Sequence, residues 1–552
     1  MSAVKRPLRV TRLNGAIAVG LLAVLVYLPA LRNGFAYDDV PIIANNTRVT
    51  EFDVGAILGG GYWEDTNTAL YRPLATLSYA VDWRLSGGSP VWFHLVNAFW
   101  HAAATALLFL LLLAAGAIPA GALIGAAVFA VHPLHVEAVA NVVGRAELLA
   151  AAFTLAAALL WCRPARWLRS AAGIAGLVAL FVLALASKEG AVVLPGVLAL
   201  TDIGRGRLRA HRIGDWLRVR LRPLVAVAAV LVLFFALRAV LLSVVVPAAL
   251  DPSLEVLSSR SHRFYTALQA WPHYLRLMFY PRILLNEYSP RITLPMTSIT
   301  PAVLAGALIL GGCLAGGLFF WARGRALAAL SLLWFPVTVF PVSNLVVPIG
   351  VLVAERTLYL PSAALAIGIA ALAPLLARAP LPRLRPAVPA LTAVALALLI
   401  ARSVTRIADW RSTNTIFSAL VRDRPDNFRG VWHFARLATA QRQPAVALTR
   451  YGEAIELWPY RRGLIVEAAL NAVQHGAPDY AFRLTEYGIG QWPTDLALRR
   501  VHAGLLLDRA DTAGAYRHVR AGLDHHPRDS VLNLMLQVTR PAIKLLSEDS
   551  IR

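Results

Sequence analysis

The stretch 14–46, NGAIAVGLLAVLVYLPALRNGFAYDDVPIIANN, decides which solvent this chain folds in. Residues 14–31 are apolar over nearly the roughly 20 residues needed to cross about 30 Å of hydrocarbon. Asp38 and Asp39 follow almost at once, side by side. Adjacent carboxylates repel each other, and low-dielectric surroundings make ionising both harder. Something near the membrane edge must offset that repulsion.

The remaining sequence extends the first half of this reading. Of 552 residues, 58% are hydrophobic and 15% charged, which excludes an ordinary soluble domain and specifies a polytopic membrane protein. Further apolar runs at 93–114, 120–137, 146–162, 170–187, 189–203, 223–247, 301–321, 326–344, 357–377 and 387–403 bring the expected spans to about eleven. The first run follows Lys5, Arg6, Arg9 and Arg12 and lacks a small-residue cleavage site behind it, so it reads as an uncleaved signal anchor. Cys162 and Cys313, the only two cysteines, sit in or beside apolar runs and support neither a disulfide framework nor a thiolate metal site.

The formal charge of +22 reports topology rather than nucleic-acid binding, because the arginines gather between apolar runs and no basic and aromatic binding module is present. With the first residues inside, the loops after the fourth, sixth, eighth and tenth spans should be basic. They carry Arg163, Arg166 and Arg169; the stretch RGRLRAHRIGDWLRVRLR at 205–222; Arg323 and Arg325; and Arg378, Arg383 and Arg385. The 32–94 loop instead carries Asp38, Asp39, Glu51, Asp53, Glu64, Asp65 and Asp82 against Arg32, Arg48, Arg72 and Arg84. An odd number of spans then leaves the C-terminal region outside. The segment 262–300, aromatic and interrupted by proline, is too polar for a span and reads as interfacial or re-entrant on the outer face.

After residue 404 the long apolar runs stop. Pro425, Pro459, Pro493 and Pro527 recur every 34 residues, the period of the tetratricopeptide (TPR) helical hairpin. Small residues recur in the same register: Ala435, Ala469 and Ala503; Ala447, Ala481 and Ala515; Ala454, Gly488 and Gly522. Helices must approach closely at such columns. Three repeats is near the minimum for a stable stack, so helices near 408–422 and 529–546 are expected to cap it. The expected organisation is all-α: a membrane helical bundle over 1–404, then a TPR solenoid over 405–552 on the non-cytoplasmic side. A solenoid of this kind binds a peptide or partner helix, so chemistry has to come from the membrane part.

Polar residues at span ends are the candidates, since a charge inside a bilayer costs at least about 2.5–3.5 kcal/mol on insertion scales. They gather at the outer ends: Asp38 and Asp39; Tyr71 and Arg72 in YRPL; His132, His135, Glu137, Arg145 and Glu147 in VHPLHVEAVANVVGRAELLA; Lys188 and Glu189 in SKEG; Glu355 and Arg356 in VAERTLYLP. Acids and bases converging on one face describe a site for a charged ligand. Each group also has a plain structural reading. The Glu–Arg sets can be helix-end ion pairs, Lys188 can snorkel, and YDDVP can be a solvated turn. His132 and His135 are three apart, as in a metal pair, but Pro133 intervenes and no clear third ligand follows, so no metal site is assigned and no cofactor is specified.

NGFAYDDVPIIANN, YRPLATLSYAVDW, HPLHVEAVANVVGRAELLA, SKEGAVVLPG and VAERTLYLPS, in that order and followed by 34-residue repeats, resemble the TMTC-type protein O-mannosyltransferases of the GT-C glycosyltransferase superfamily. The resemblance implies a polyprenyl-phosphate-linked sugar as donor, a protein hydroxyl as acceptor, reaction at the non-cytoplasmic face, and a catalytic acid in the first outer loop at Asp38 and Asp39. On that basis Asp38 is the expected general base, with Asp39 orienting the acceptor or sharing the role. Arg145, Lys188 and Arg356 are the expected phosphate ligands. A single base opposite the leaving group implies inversion. The repeat array is shorter than in animal members, and the alanine- and arginine-rich composition points to a bacterial inner membrane with periplasmic repeats, or to the ER membrane in a eukaryote. A non-enzymatic membrane scaffold and a lipid-sugar flippase or transporter are the alternatives. A transporter would place broken helices near mid-bilayer in two related halves, a pattern not seen here.

Overall fold

A computed structural model describes residues 11–63, 70–242, 259–288, 294–345, 351–378 and 387–549. Lys5, Arg6, Arg9, Glu64, Asp65, Arg383, Arg385 and the last residues of the 223–247 run lie outside the described residues. The chain forms two compact units that divide at residue 420.

The first unit is helical because its apolar runs carry their own start and stop signals. Thr11 caps the helix Arg12–Tyr27, accepting the Asn14 N–H at 3.2 Å, and Pro29 turns its end into a tighter coil over Leu28–Arg32. Proline also stands in the first turn of Pro73–Ser86, Pro90–Ala114, Pro119–Val131 and Pro301–Ala322, where a missing N–H leaves no hydrogen bond unmade. Among the described residues, seven helices are long and apolar enough to cross a membrane. An eighth span arises if Pro119–Val131 and Pro133–Val139, bent by 46° at His132, are counted as one.

About eleven crossings were expected, and the shortfall has a local cause. Ala171–Ser187 and Ala326–Val342 are apolar but short. The run 189–203 begins as a 3₁₀ turn, Glu189–Val193, leaving an 11-residue helix, Leu194–Gly204, of about 16 Å. That is too short for about 30 Å of hydrocarbon. The polar segment expected at the interface begins with one continuous helix, Arg260–Phe279, which buries Trp271 and Tyr274. It lies so close to Pro301–Ala322 that a methyl group on Gly306 would meet the Leu268 carbonyl oxygen at 1.8 Å. Gly125 approaches Ala366 in the same way. Small residues let backbones meet where apolar area alone gives no preference for protein over lipid.

Polar groups collect at both ends of this bundle. The helix Arg145–Trp161, 17 residues and about 25 Å long, carries Arg145 and Glu147 at one end and Trp161 at the other. At the Trp161 end, Asp202 is fully buried and accepts from Trp161 and Trp216 Nε1, each at 2.8 Å, and from Arg220 Nε and Nη2, each at 2.9 Å. That pins the basic 205–222 segment to the bundle. The acids and bases singled out from the sequence lie toward the opposite end.

In the second unit the helix pairs Phe428–Ala440 with Pro444–Leu457, Arg462–Gln474 with Pro478–Gln491, and Leu496–Asp508 with Thr512–His525 follow the 34-residue period. Pro425, Pro459 and Pro493 each stand in the turn just before one of these pairs, and Pro527 stands just before the closing helix. All six alanines of the first two columns are fully buried. In the third column, methyl groups on Gly488 and Gly522 would meet Leu498 and Leu532 side chains at 2.7 and 2.6 Å. Ser530–Asp549 closes the described stack. The chain is thus a membrane helical bundle joined to a TPR-type solenoid.

Candidate active site

Asp38 and Asp39 share one turn but not one environment. Tyr37 has a left-handed backbone, φ 54°, and Pro41 opens a wide helical turn, Val40–Ala44. That geometry sends the two side chains in different directions. Asp39 is fully buried and accepts the backbone N–H of Ala36 at 3.1 Å and of Val143 at 2.8 Å. Burial pushes its carboxyl up to about 7, although these backbone donors oppose the shift. It ties the loop after the first apolar helix to the turn before Arg145. Asp38 lines a cavity of about 400 Å³.

The charged lining is Asp38, Arg72, Glu147, Lys188, Glu189, Arg238 and Arg356, four cations and three acids. Ile42, Trp63, Leu70, Val192, Phe235 and Val342 supply apolar wall. Arg72 Nε donates to Glu189 at 3.0 Å and its guanidinium lies 4.8 Å from the centre of the Tyr62 ring. Lys188 pairs with Glu147. Arg356 pairs with Glu137, whose carboxylate accepts the Arg356 backbone N–H at 2.9 Å from behind the wall. Arg72, Lys188 and Arg356 are therefore each held by an acid while keeping a face toward the cavity, which suits them to an incoming anion.

Seven residues singled out from the sequence do not line this cavity, and each is engaged elsewhere. Asp39 anchors the loop. Tyr71 donates its hydroxyl to the Leu58 carbonyl at 2.8 Å and its N–H to Glu189 at 3.1 Å. His132 Nε2 donates to the Met278 carbonyl at 2.9 Å, and its Nδ1 accepts the Leu134 N–H at 3.2 Å. His135 uses Nδ1 on the Phe129 carbonyl at 2.8 Å and Nε2 on Ser362 Oγ at 2.7 Å. Both ring nitrogens of each histidine are thus occupied by hydrogen bonds within the fold. Among the described residues no group of three or more His, Cys, Asp or Glu is placed to hold a metal ion.

Arg145 departs furthest from expectation. It is fully buried, paired with Asp82, and donates to Asn97 Oδ1 at 2.7 Å and the Phe93 carbonyl at 3.1 Å. The rings of Tyr79 and Phe93 lie 5.1 and 5.5 Å from its guanidinium. Its fork is used up within the bundle, so it faces no ligand here. Glu137 and Glu355 sit behind the wall. Glu355, fully buried, accepts the Tyr288 hydroxyl at 2.6 Å and the Leu285 N–H, with Arg406 Nη2 3.9 Å from its other oxygen. Arg238 went unremarked in the sequence, yet it is the one ionisable residue in the run 223–247. An ionisable side chain inside an apolar run is itself a functional signal.

The chain is 25% identical over 457 residues to a protein O-mannosyl-transferase of Caenorhabditis elegans, covering 79% of this chain and 62% of that one. Against mouse protein O-mannosyl-transferase TMTC3 it is 28% identical over 374 residues, 61% of this chain and 40% of the relative. Mouse TMTC4 is 25% identical over 499 residues, 79% and 65% of the two chains. The resemblance to the TMTC-type protein O-mannosyltransferases is borne out. The chain spans less than two thirds of the length of each of these relatives. No family model matches it. Among solved structures, the TPR domain of P58(IPK) overlaps 70% of this chain and 98% of that one at 11% identity and a TM-score of 0.22, so the solenoid assignment rests on the hairpins and their small-residue columns.

Proposed function

We propose that the chain is a membrane glycosyltransferase that moves a sugar, mannose or another hexose, from a polyprenyl-phosphate donor to a protein hydroxyl at the non-cytoplasmic face. One observation carries this reading: a carboxylate, Asp38, and four cations line the same half-apolar cavity. A nucleophile and a phosphate leaving group need those two kinds of neighbour, and both need water kept away. A second, almost wholly apolar cavity of about 380 Å³ shares Phe340 with the first, and suits the start of a polyprenyl tail.

In this mechanism the acceptor oxygen attacks the anomeric carbon as Asp38 takes its proton. The new carbon–oxygen bond forms while the bond to the phosphate oxygen breaks, and the electron pair leaves on the polyprenyl phosphate. Arg72, Lys188, Arg238 and Arg356 meet the charge that develops there; an arginine fork matches two phosphate oxygens, and lysine acts as a point charge. Attack opposite the leaving group inverts the anomeric centre. Asp39 holds the loop that presents Asp38, and Glu137 holds Arg356.

Residues 1–404 form the catalytic membrane part in this reading. The TPR part, 405–552, lies outside and takes the acceptor protein, and the arginine-rich loops face the cytoplasm. The composition favours a bacterial inner membrane. The test is transfer of labelled mannose from polyprenyl-phosphate mannose to serine- and threonine-containing peptides by the purified full chain in lipid nanodiscs. Transfer that persists after Asp38→Asn, with folding intact, rejects the assignment.

A further inference from the structure

A bulky residue in left-handed backbone is disfavoured by crowding between Cβ and the neighbouring carbonyl, and it persists only where its surroundings impose it. Tyr37, φ 54°, is such a residue, and it immediately precedes Asp38. What imposes its conformation comes from residues more than 370 positions later in the sequence. The Tyr37 N–H donates to Thr413 Oγ1 at 2.9 Å, and its ring meets Phe417 edge to face, centroids 5.6 Å apart. Asn33 Nδ2 donates to the Ile407 carbonyl and the Gly34 N–H to the Arg411 carbonyl, both at 3.0 Å. Four links thus bind residues 33–37 to residues 407–417.

The hold is itself rigid. Ser412 and Thr415 cap the helix Thr413–Asp423 reciprocally: Thr415 Oγ1 accepts the Ser412 N–H at 2.9 Å and Ser412 Oγ accepts the Thr415 N–H at 3.2 Å. Thr413 therefore stands at a fixed first position. Just upstream, Arg406 pairs with Glu355, next in sequence to Arg356, and Ser403 Oγ donates to the Val131 carbonyl at 2.7 Å. One short segment, from the last turns of the helix Ala387–Asp409 into Thr413–Asp423, braces both the acid loop and the turn that carries Arg356.

We infer that residues 403–417 are a clamp that positions Asp38 against Arg356, with Thr413 and Phe417 acting through Tyr37 as positioning residues. The clamp rests on these contacts; what it positions rests on the transferase reading above. Rotating Tyr37 out of the left-handed region would redirect the chain at Asp38 and take its carboxylate off the cavity wall. The cavity would keep its cations and lose its aligned base.

The test uses the full chain in nanodiscs. Thr413→Val keeps the side-chain shape and removes the acceptor, Thr413→Ser restores it, and Phe417→Leu removes the ring contact while keeping apolar volume. Amide exchange over 34–40 should be at least tenfold faster in T413V and F417L, with T413S like wild type and other segments unchanged. In the mannose-transfer assay, kcat should fall at least tenfold with donor KM within twofold, and T413S should recover it. Unchanged exchange overturns the clamp, and a loosened loop with unchanged kcat overturns its positioning role. If wild type transfers no sugar while T413V loosens the loop, the transferase reading falls and the clamp stands.

Discussion

The backbone N–H of Arg356 and Oε2 of Glu137 lie 2.9 Å apart, and the Arg356 guanidinium closes on the same carboxylate. The Glu137 side chain is 1% exposed and that of Arg356 24%, so the acid sits behind and the cation faces the cavity. Removing one partner of a buried pair costs about 3–5 kcal/mol because the other is left uncompensated. Glu137→Ala should therefore lower the melting temperature sharply. Glu137→Gln keeps an oxygen for the backbone N–H but loses the charge and the oxygen that accepts from the guanidinium. It should fold, release Arg356 from its fixed orientation, and reduce kcat/KM for the donor about tenfold, read in steady-state transfer assays.

Adjacent aspartates in different surroundings should behave differently when neutralised. Asp38→Asn should remove transfer without lowering the melting temperature. Asp39→Asn presents an amide NH₂ to one of the N–H donors of Ala36 or Val143, so it should lower the melting temperature and reduce transfer only through the loop.

The pH dependence of Asp39 has a definite sign. Burial pushes its folded-state pKa up to about 7, above the ordinary aspartate value of 3.8, so the folded chain binds the proton more tightly than the unfolded one. The contribution is present below about pH 4 and is lost as pH rises to about 7. Wild-type melting temperature, measured relative to Asp39→Asn, should fall across that window and level off above it. A flat difference would show that Asp39 is ionised throughout.

The features readable in the sequence are those written along one dimension. The helical winding of the long apolar runs, the 34-residue register and the gathering of acids and bases toward one end of the bundle all survive into three dimensions. Rotation about a helix axis does not show in a single sequence. Arg145 and Glu147 are two residues apart, yet one faces Asp82 inside the bundle and the other lines the cavity. The run 189–203 falls short of a span for a related reason: an apolar run does not say where its helix begins, and Glu189–Val193 winds as a tighter turn first. Pairings across long separations, such as Arg406 with Glu355, were likewise invisible.

Phe340 offers a test of the lipid tail. It is 49% exposed and lines both the charged and the apolar cavity. If the tail passes it, Phe340→Ala should raise KM about tenfold for a long polyprenyl donor and change it less than twofold for a donor of one or two isoprene units, with kcat preserved in both cases. Equal effects on the two donors would place the tail elsewhere.

The solenoid can be probed with two glycines on one helix, Pro478–Gln491. A methyl group on Gly488 would meet Leu498 Cδ1 at 2.7 Å and Ile465 Cγ2 at 3.2 Å, whereas one on Gly490 meets nothing within 4 Å. Helix propensity favours alanine over glycine by about 0.8–1.0 kcal/mol at both positions. Overpacking a close contact costs about 1–3 kcal/mol. Gly490→Ala should therefore raise the urea midpoint of the solenoid transition in the full chain, and Gly488→Ala should lower it, followed by tryptophan fluorescence. Equal stabilisation by both would mean that the third small-residue column is not a close-approach position, and the repeat geometry inferred from it would fail.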